Sequence, residues 1–289
     1  MNLSWIVGGN EYSLNDRNNY YMLSYSGLGV PDFHRITVRG ALQHGTTDVG
    51  YRLDDRVIIL TVGVKGNSAQ DLHNKLLVFH KIFRPRETAG ILKWVDDNGI
   101  RYVDCHLAKL DDGNRESDYQ EMGLVLIANS PTWYDPAIVS STFSVGGGGD
   151  LLEVPTVIPM LVGTSTLDVG KSIIYTGTSE TFPKITVVGP IQNLYIEHEG
   201  TGMKLDFTGY TIGAGESLFI DLTYGQKTVV DGTGASVLDK LSYDSDLAEF
   251  SLLPSPDIPA GVNTILVQGN GVDAGTEITI KYYKRYIGV

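Results

Sequence analysis

Ser130-Pro131-Thr132-Trp133-Tyr134-Asp135-Pro136, followed after a short interval by Gly146-Gly147-Gly148-Gly149, is where the chain divides. An aromatic corner bracketed by prolines, then a stretch without side chains, reads as the end of one folded unit and the tether to the next. Residues 1–138 are therefore expected to form an N-terminal domain, 139–150 a glycine-rich linker and 151–289 a C-terminal domain. Neither side of this joint holds a convincing catalytic constellation. The function is expected to lie in how two β modules are joined and assembled, not in chemistry at a pocket.

The bulk composition supports two ordinary domains. A chain of 289 residues can bury two self-sufficient cores. Its 42% apolar and 19% charged residues are those of a folded protein, and 34 glycines suit short strands joined by tight turns. A formal net charge of -12 disfavours general binding to nucleic-acid backbones or anionic membranes, because no cation excess exists to displace counterions. Cys105 is the only cysteine, which rules out an intrachain disulfide, and its place in an alternating run predicts a small core-facing residue. The first residues, Met1-Asn2-Leu3-Ser4-Trp5-Ile6-Val7-Gly8-Gly9, have neither the basic region nor the apolar run of a signal peptide. Leu72 to Phe83, the most apolar helical stretch, is too short to span a bilayer. The chain is expected to be soluble and made in the cytosol.

The first half reads as a β-barrel or sandwich around one helix. Ile36 to Gly40 and Val57 to Val64 are β-branched runs, and His44-Gly45-Thr46-Thr47-Asp48 between them is loop composition, long enough to project. Ser68 is placed to cap a helix, with Asp71 three residues on; Leu72, Leu76, Phe79 and Phe83 then share one face, and Pro85 ends the run. Gly90–Val95 and Ile100–Leu110 flank Asp96-Asp97-Asn98-Gly99, whose Asn-Gly pair predicts a tight hairpin with positive φ values. Tyr119 to Ala128 is the strand that delivers the chain to Trp133.

The second half is strand after strand: Thr156–Leu161, Lys171–Thr176, Pro183–Val188, Asn193–His198, Met203–Phe207, Ser217–Thr223, Gln226–Val230, Glu249–Leu253, Asn263–Gly269 and Thr276–Tyr283. Only Val237 to Tyr243 has room for a helical turn. Short strands punctuated by Gly, Asp and Asn predict a β-sandwich of jelly-roll type. The chain as a whole is mainly β.

Motifs that could carry chemistry mostly dissolve on inspection. His73 and His80 lie two helical turns apart, too far to share a metal. Asp97 and Asp104 read as turn and solvent-facing strand positions, and Asp111-Asp112-Gly113-Asn114 with Glu116 and Asp118 lacks the alternation of a calcium loop. Gly170-Lys171-Ser172 mimics the tail of a phosphate-binding loop but continues as a strand, where that site requires a helix. Gly269-Asn270-Gly271 with Gly275 is a turn between strands. Glu197-His198-Glu199 puts its carboxylates on the opposite sheet face from the histidine, as expected of a solvated strand end. No serine sits in a nucleophile elbow. Trp133, Tyr195, Tyr224 and Tyr243 are aromatics that could stack on sugars or simply pack. No catalytic, cofactor-binding or metal site is assigned, and no cofactor is expected.

Three places resemble the distal tail protein (Dit) family of long non-contractile-tailed phages. The helix Leu72–Phe83 with the Gly90–Leu110 hairpin is similar to that family's helix and following strands. Met122-Gly123-Leu124-Val125-Leu126 leading to Pro131-Thr132-Trp133-Tyr134-Asp135 resembles its domain-closing P-x-W-Y-D corner. Pro259-Ala260-Gly261-Val262-Asn263-Thr264-Ile265 and Ile280-Lys281-Tyr282-Tyr283-Lys284-Arg285-Tyr286-Ile287-Gly288 resemble its closing P-G-x-N-x-I and Y-x-x-R-Y motifs, with Ala260 interrupting the usual Pro-Gly pair. The resemblance implies a homo-oligomeric ring, usually a hexamer. In it the N-terminal domains surround a channel that continues the tail tube, and galectin-like or carbohydrate-module-like sandwiches sit outside. It implies a structural, non-enzymatic virion protein at the tail tip, assembled in the host cytoplasm. The implied partners are the tail tube protein, a tail-tip protein and a receptor-binding protein or host-surface carbohydrate. DNA would pass an acidic lumen without specific binding. Two other readings stand beside it: a carbohydrate-binding host-adhesion protein, and a polysaccharide-degrading tail enzyme.

Overall fold

The computed structural model describes residues 2–144 and 166–289. The glycine run Gly146–Gly149 and the expected strand Thr156–Leu161 lie outside the described residues. The chain forms two compact units, one of Met1–Pro136 with Arg285–Val289 and one of Ala137–Lys284. The expected division is thus redrawn at both ends. Residues 139–144, expected in the linker, continue a strand, and Arg285–Val289, expected in the C-terminal domain, complete the first unit.

The first unit contains β1 (Asn2–Val7), β2 (Asn10–Ser13), β3 (Tyr20–Ser26), β4 (Phe33–Val38), β5 (Thr47–Leu53) and β6 (Arg56–Lys65). Helix α1 (Ala69–Ile82), β7 (Gly90–Asp96), β8 (Gly99–Arg115), β9 (Tyr119–Ala128) and the start of β10 (Trp133–Ser144) follow. Antiparallel pairing runs β2-β1-β7-β8-β9-β6-β3. The long β8 serves two partners: Gly99–Cys105 pair with β7, and His106–Arg115 with β9. Alternation decides the inner face of β6, where Ile58, Leu60, Val62 and Val64 are fully buried while Val57 and Ile59 point out. Helix α1 forms as its sequence predicts. Ser68 caps it, its hydroxyl accepting from Asp71 N–H at 3.2 Å, and Leu72, Leu76, Phe79 and Ile82 face the core. The β7–β8 hairpin turns on Asp97-Asn98, with the Asp96 carboxylate accepting from Asn98 N–H at 2.9 Å. Only Gly99 there has positive φ, so the Asn-Gly pair sits one residue later in the turn than expected.

The second unit is a β-sandwich. Its strands are the end of β10, then β11 (Thr166–Ile174), β12 (Lys184–Val188), β13 (Ile191–His198), β14 (Met203–Ile212), β15 (Ser217–Asp221), β16 (Thr228–Asp231), β17 (Val262–Asn270) and β18 (Glu277–Tyr286). One sheet runs β16-β15-β12-β18-β10, the other β11-β17-β13-β14. Side chains from both, such as Ile185, Val187, Leu218 and Ile278 against Leu194, Ile196, Phe207 and Val267, make one core. The expected helical turn is a short 3-10 turn, Leu238–Lys240, and Glu249–Leu253 is not a strand: Leu252 makes a single bridge to Thr181.

Two details of the second unit correct or explain the sequence. His198 is fully buried, not solvated, and hydrogen-bonds Asn263 Oδ1 at 2.8 Å. Asn263 also accepts from Leu253 N–H and donates to the carbonyls of Leu253 and Gly261, so its amide orientation is fixed and His198 must donate through Nε2. The closing motif's asparagine is thereby the pin of the Pro259–Gly261 turn. Ala260 in that turn has φ 54° and ψ 16°, left-handed backbone that disfavours any Cβ. Ala260→Gly is therefore expected to raise the second unit's stability by about 0.5–1 kcal/mol, the relief of strain outweighing the entropy of a more flexible unfolded chain. Denaturant unfolding checks this, and a lower midpoint would refute the strain argument.

Candidate assembly surface

Among the described residues, strands β4 and β5 pair only with each other. All six residues of β4 are exposed, and β5 contributes nothing buried. A two-stranded hairpin in water is marginal by itself. This one nevertheless carries Phe33, Ile36, Val38, Val49 and Tyr51 in the open, with Leu42 at its tip 96% exposed. Phe33 and Tyr51 touch edge to face with ring centroids 6.4 Å apart. Exposed polar pairs run along the arm: Arg35 with Asp48, His34 Nε2 with Asp54 at 2.9 Å, and Arg52 with Asp54 at 3.9 Å. No amphipathic pattern announced this arm, because neither face is inside.

A second open patch lies on the outer face of β6 and its neighbours. Val57 and Ile59 project there beside Ile127 and Val125 of β9, their partners in register; on β3, half-exposed Tyr25 instead registers with inward-facing Leu60 and meets Trp94 edge to face. Leu77 and Val78 are exposed on α1. Among the described residues, 15 of the 21 large exposed hydrophobic side chains belong to the first unit, and 11 lie between Leu23 and Ile59. Scattered apolar exposure is ordinary, but this concentration on one arm and one sheet face marks a contact surface.

The roots of the arm are built differently. Arg56, 1% exposed, sits where the arm rejoins the sheet. Its Nε donates to Pro131 O at 2.6 Å, Nη1 to Gly27 O and Gly29 O at 2.7 and 2.6 Å, and Nη2 to Ile287 O at 2.6 Å. Trp133, fully buried, lies beneath the guanidinium at 5.7 Å. Burial without a carboxylate partner lowers the Arg56 pKa to about 10, leaving it charged at neutral pH. Gly27 is at φ 80°, and a Cβ there would collide with the Val57 carbonyl. Close by, Arg285 Nη1 donates to Thr132 Oγ1 at 2.9 Å, and Arg101 stacks over Tyr286 at 3.8 Å. The aromatic corner and the Tyr283–Gly288 motif, some 150 residues apart in sequence, thus end on one arginine.

The residues weighed for chemistry scatter. His73 stays exposed on α1, and His80 lies 3.5 Å from Asp112. Asp104 accepts from Tyr134 Oη at 2.9 Å and Asp97 sits in a turn. Gly170-Lys171-Ser172 lies within β11, paired along β17. Tyr195 Oη donates to Glu197 at 2.9 Å, and of the four aromatics weighed for stacking only Tyr224 and Tyr243 are exposed. No group of three potential metal-ligating side chains occurs among the described residues. A cleft beside Trp5, Phe83 and Cys105 holds about 10 Å³, room for one water. Cys105 is buried there, as its strand pattern predicts, and burial pushes its thiol up to about 12. A thiol reagent at pH 8 should leave it untouched until the first unit unfolds; rapid stoichiometric labelling of native protein would contradict this. Because the thiol ionises near 9 when unfolded, its contribution to stability is intact below pH 9 and is lost as pH rises toward 12.

Residues 7–124 match the family model of the phage tail protein RIFT-related domain. The matched segment contains the projecting arm, β6 and α1. Among solved structures the chain is similar to the Dit (gp 19.1) protein of phage SPP1, described as a paradigm of the hub adsorption apparatus in phages infecting Gram-positive bacteria. The TM-score is 0.66 at 15% identity, over 98% of each chain. A chain of the phage P2 baseplate in its activated conformation with calcium aligns with TM-score 0.46 and 10% identity, over 97% of each. No curated protein matches the sequence. The resemblance to the distal tail protein family is borne out by the family match in the first unit and by the shared fold along the chain.

Proposed function

We propose that this phage tail-type chain is a structural hub, a ring of identical subunits that joins the tail tube to the tail-tip apparatus. The observation that carries the reading is the concentration of unpartnered apolar side chains on the first unit, inside the segment matching the tail domain. A cyclic ring needs two different, complementary surfaces on each subunit. The β4–β5 arm supplies one and the outer face around Val57 and Ile59 the other, with the arm of one copy laid on the sheet face of the next. Covering the exposed parts of these side chains supplies the apolar burial that must offset the entropy of association. On this reading the ring is a hexamer in the virion, assembled in the host cytoplasm, with tail tube and tail-tip proteins as its axial partners. The surplus of acidic residues suits a channel that lets DNA slide without adhering. No catalytic step is assigned. Electron microscopy of the purified protein should show closed rings with an open centre; uniform single-subunit particles would count against the proposal.

A second reading keeps a place on the second unit alone. Tyr224, 70% exposed and packed edge to face on Phe182, and exposed Tyr243 are aromatics of the kind that stack on sugar rings, so the sandwich is a candidate for host-surface carbohydrate. A glycan array decides it: no signal from wild-type protein, or signal that survives Tyr224→Ala with Tyr243→Ala, removes this reading.

A further inference from the structure

The arm leaves the first unit through two roots, residues 27–32 before β4 and 54–56 after β5. Asp54 N–H donates to Asp32 O at 2.8 Å and ties the roots together. Leu28 and Pro31 are buried, Leu28 within the first unit's core, and further backbone ties come from Arg56 and from Arg285–Val289. Arg56 holds the carbonyls of Gly27, Gly29 and Ile287 on one guanidinium. Val289 N–H donates to Leu28 O at 3.2 Å, and Gly288 packs so closely on Gly29 that a Cβ would lie 3.0 Å from its carbonyl carbon. Tyr286 is clamped under Arg101, and Arg285 reaches Ser130 and Thr132.

We infer that Arg285–Val289 is a latch that sets the β4–β5 arm in its assembly-competent position. The segment is held through the side chains of Arg285 and Tyr286 and through the backbone of Ile287 and Val289. Two glycines decide the fit: Gly288 lets its backbone touch that of Gly29, and Gly27 clears the Val57 carbonyl. Because 148 residues of the second unit, Ala137–Lys284, separate the latch from the rest of the first, the arm cannot be set until that unit has been made and threaded. Assembly is thereby tied to completion of the second unit, so a chain stopped short of residue 285 would lack a positioned arm. This inference rests on the arm being an assembly surface.

Hydrogen exchange on the full-length protein tests it. In the wild type the amides of Asp54 and Val289 should exchange together with the first unit's core, in one cooperative event. Gly288→Ala should raise exchange at both by about tenfold or more, leave Val187, Ile196 and Val267 of the second unit unchanged, and lower the oligomeric fraction at fixed concentration. Arg101→Gln, which removes the clamp on Tyr286 together with an exposed hydrogen bond to the Ile100 carbonyl, is the milder variant should Gly288→Ala fail to fold, with a smaller change in the same direction. If Val289 is released while Asp54 exchange stays at its wild-type rate, the latch does not position the arm and the inference falls. If wild type exchanges as described but never associates, the ring proposal falls and the latch stands as a device within the first unit.

Discussion

Phe33→Asp with Tyr51→Asp on one face of the arm, or Ile36→Asp on the other, is expected to abolish self-association while leaving the monomer folded. The register places Phe33 opposite Leu53 and Arg35 opposite Tyr51, so Phe33 and Tyr51 share a face and Ile36 takes the other. None of these side chains belongs to either core. Their replacement should therefore change unfolding free energy by no more than about 0.5 kcal/mol, as for ordinary surface positions. In an interface each lost side chain removes about 1.5–3 kcal/mol of burial, and each new carboxylate must be desolvated without a partner. The double variant should weaken association by well over about a hundredfold. Sedimentation velocity across a concentration series reads this directly. Oligomers that persist in both variants would move the interface elsewhere, to the exposed Leu77 and Val78 of α1 or to the second unit.

Arg56→Lys is the second large effect. Arginine presents a rigid fork, and here that fork serves four carbonyls from three separate segments. Lysine has three donors on one atom and cannot reach all four. At least one carbonyl is left buried and unpaired at about 1–3 kcal/mol, the remaining geometry is lost, and the ammonium pays a desolvation cost of its own. The first unit should lose about 3–5 kcal/mol, which for a unit of this size lowers its melting temperature by roughly 10 °C. The sandwich, whose core shares no residue with the first, should melt where it does in wild type. Calorimetry would show one transition moving and the other still. A common shift of both would mean that the two units do not unfold independently, and no shift would mean that Arg56 does not pin this corner.

What the sequence disclosed and what it hid divide along physical lines. Local signals were legible. Ser68, Asp71 and the Leu72–Phe79 spacing define α1, the Asp-Asn-Gly turn defines the β7–β8 hairpin, and the alternation in Leu218–Leu222 predicts a half-buried strand. Nonlocal facts were not. His198 looks like a solvated strand end beside two glutamates, and only the approach of Asn263 makes its burial affordable. The arm is hidden for the opposite reason: with both faces open, its apolar residues follow no period that a core would impose. The aromatic corner reads locally as a stop, yet Trp133 lies on a strand that runs on to Ser144. Nothing local to Arg285–Val289 says that it belongs to a unit whose other residues end at Pro136. Arg56 is the residue missed altogether. A charged residue opening a β-branched run looks like a solvated strand start, and its four acceptors are backbone carbonyls that leave no mark in a sequence.

The ring is the claim on which the functional account stands. Size-exclusion chromatography with light scattering, on the unmodified chain over a wide concentration range, measures it most directly. The account predicts one closed species whose mass is a fixed multiple of the 31.5 kDa subunit, six being the expected number. A chain that stays at 31.5 kDa at the highest concentration reached would contradict it.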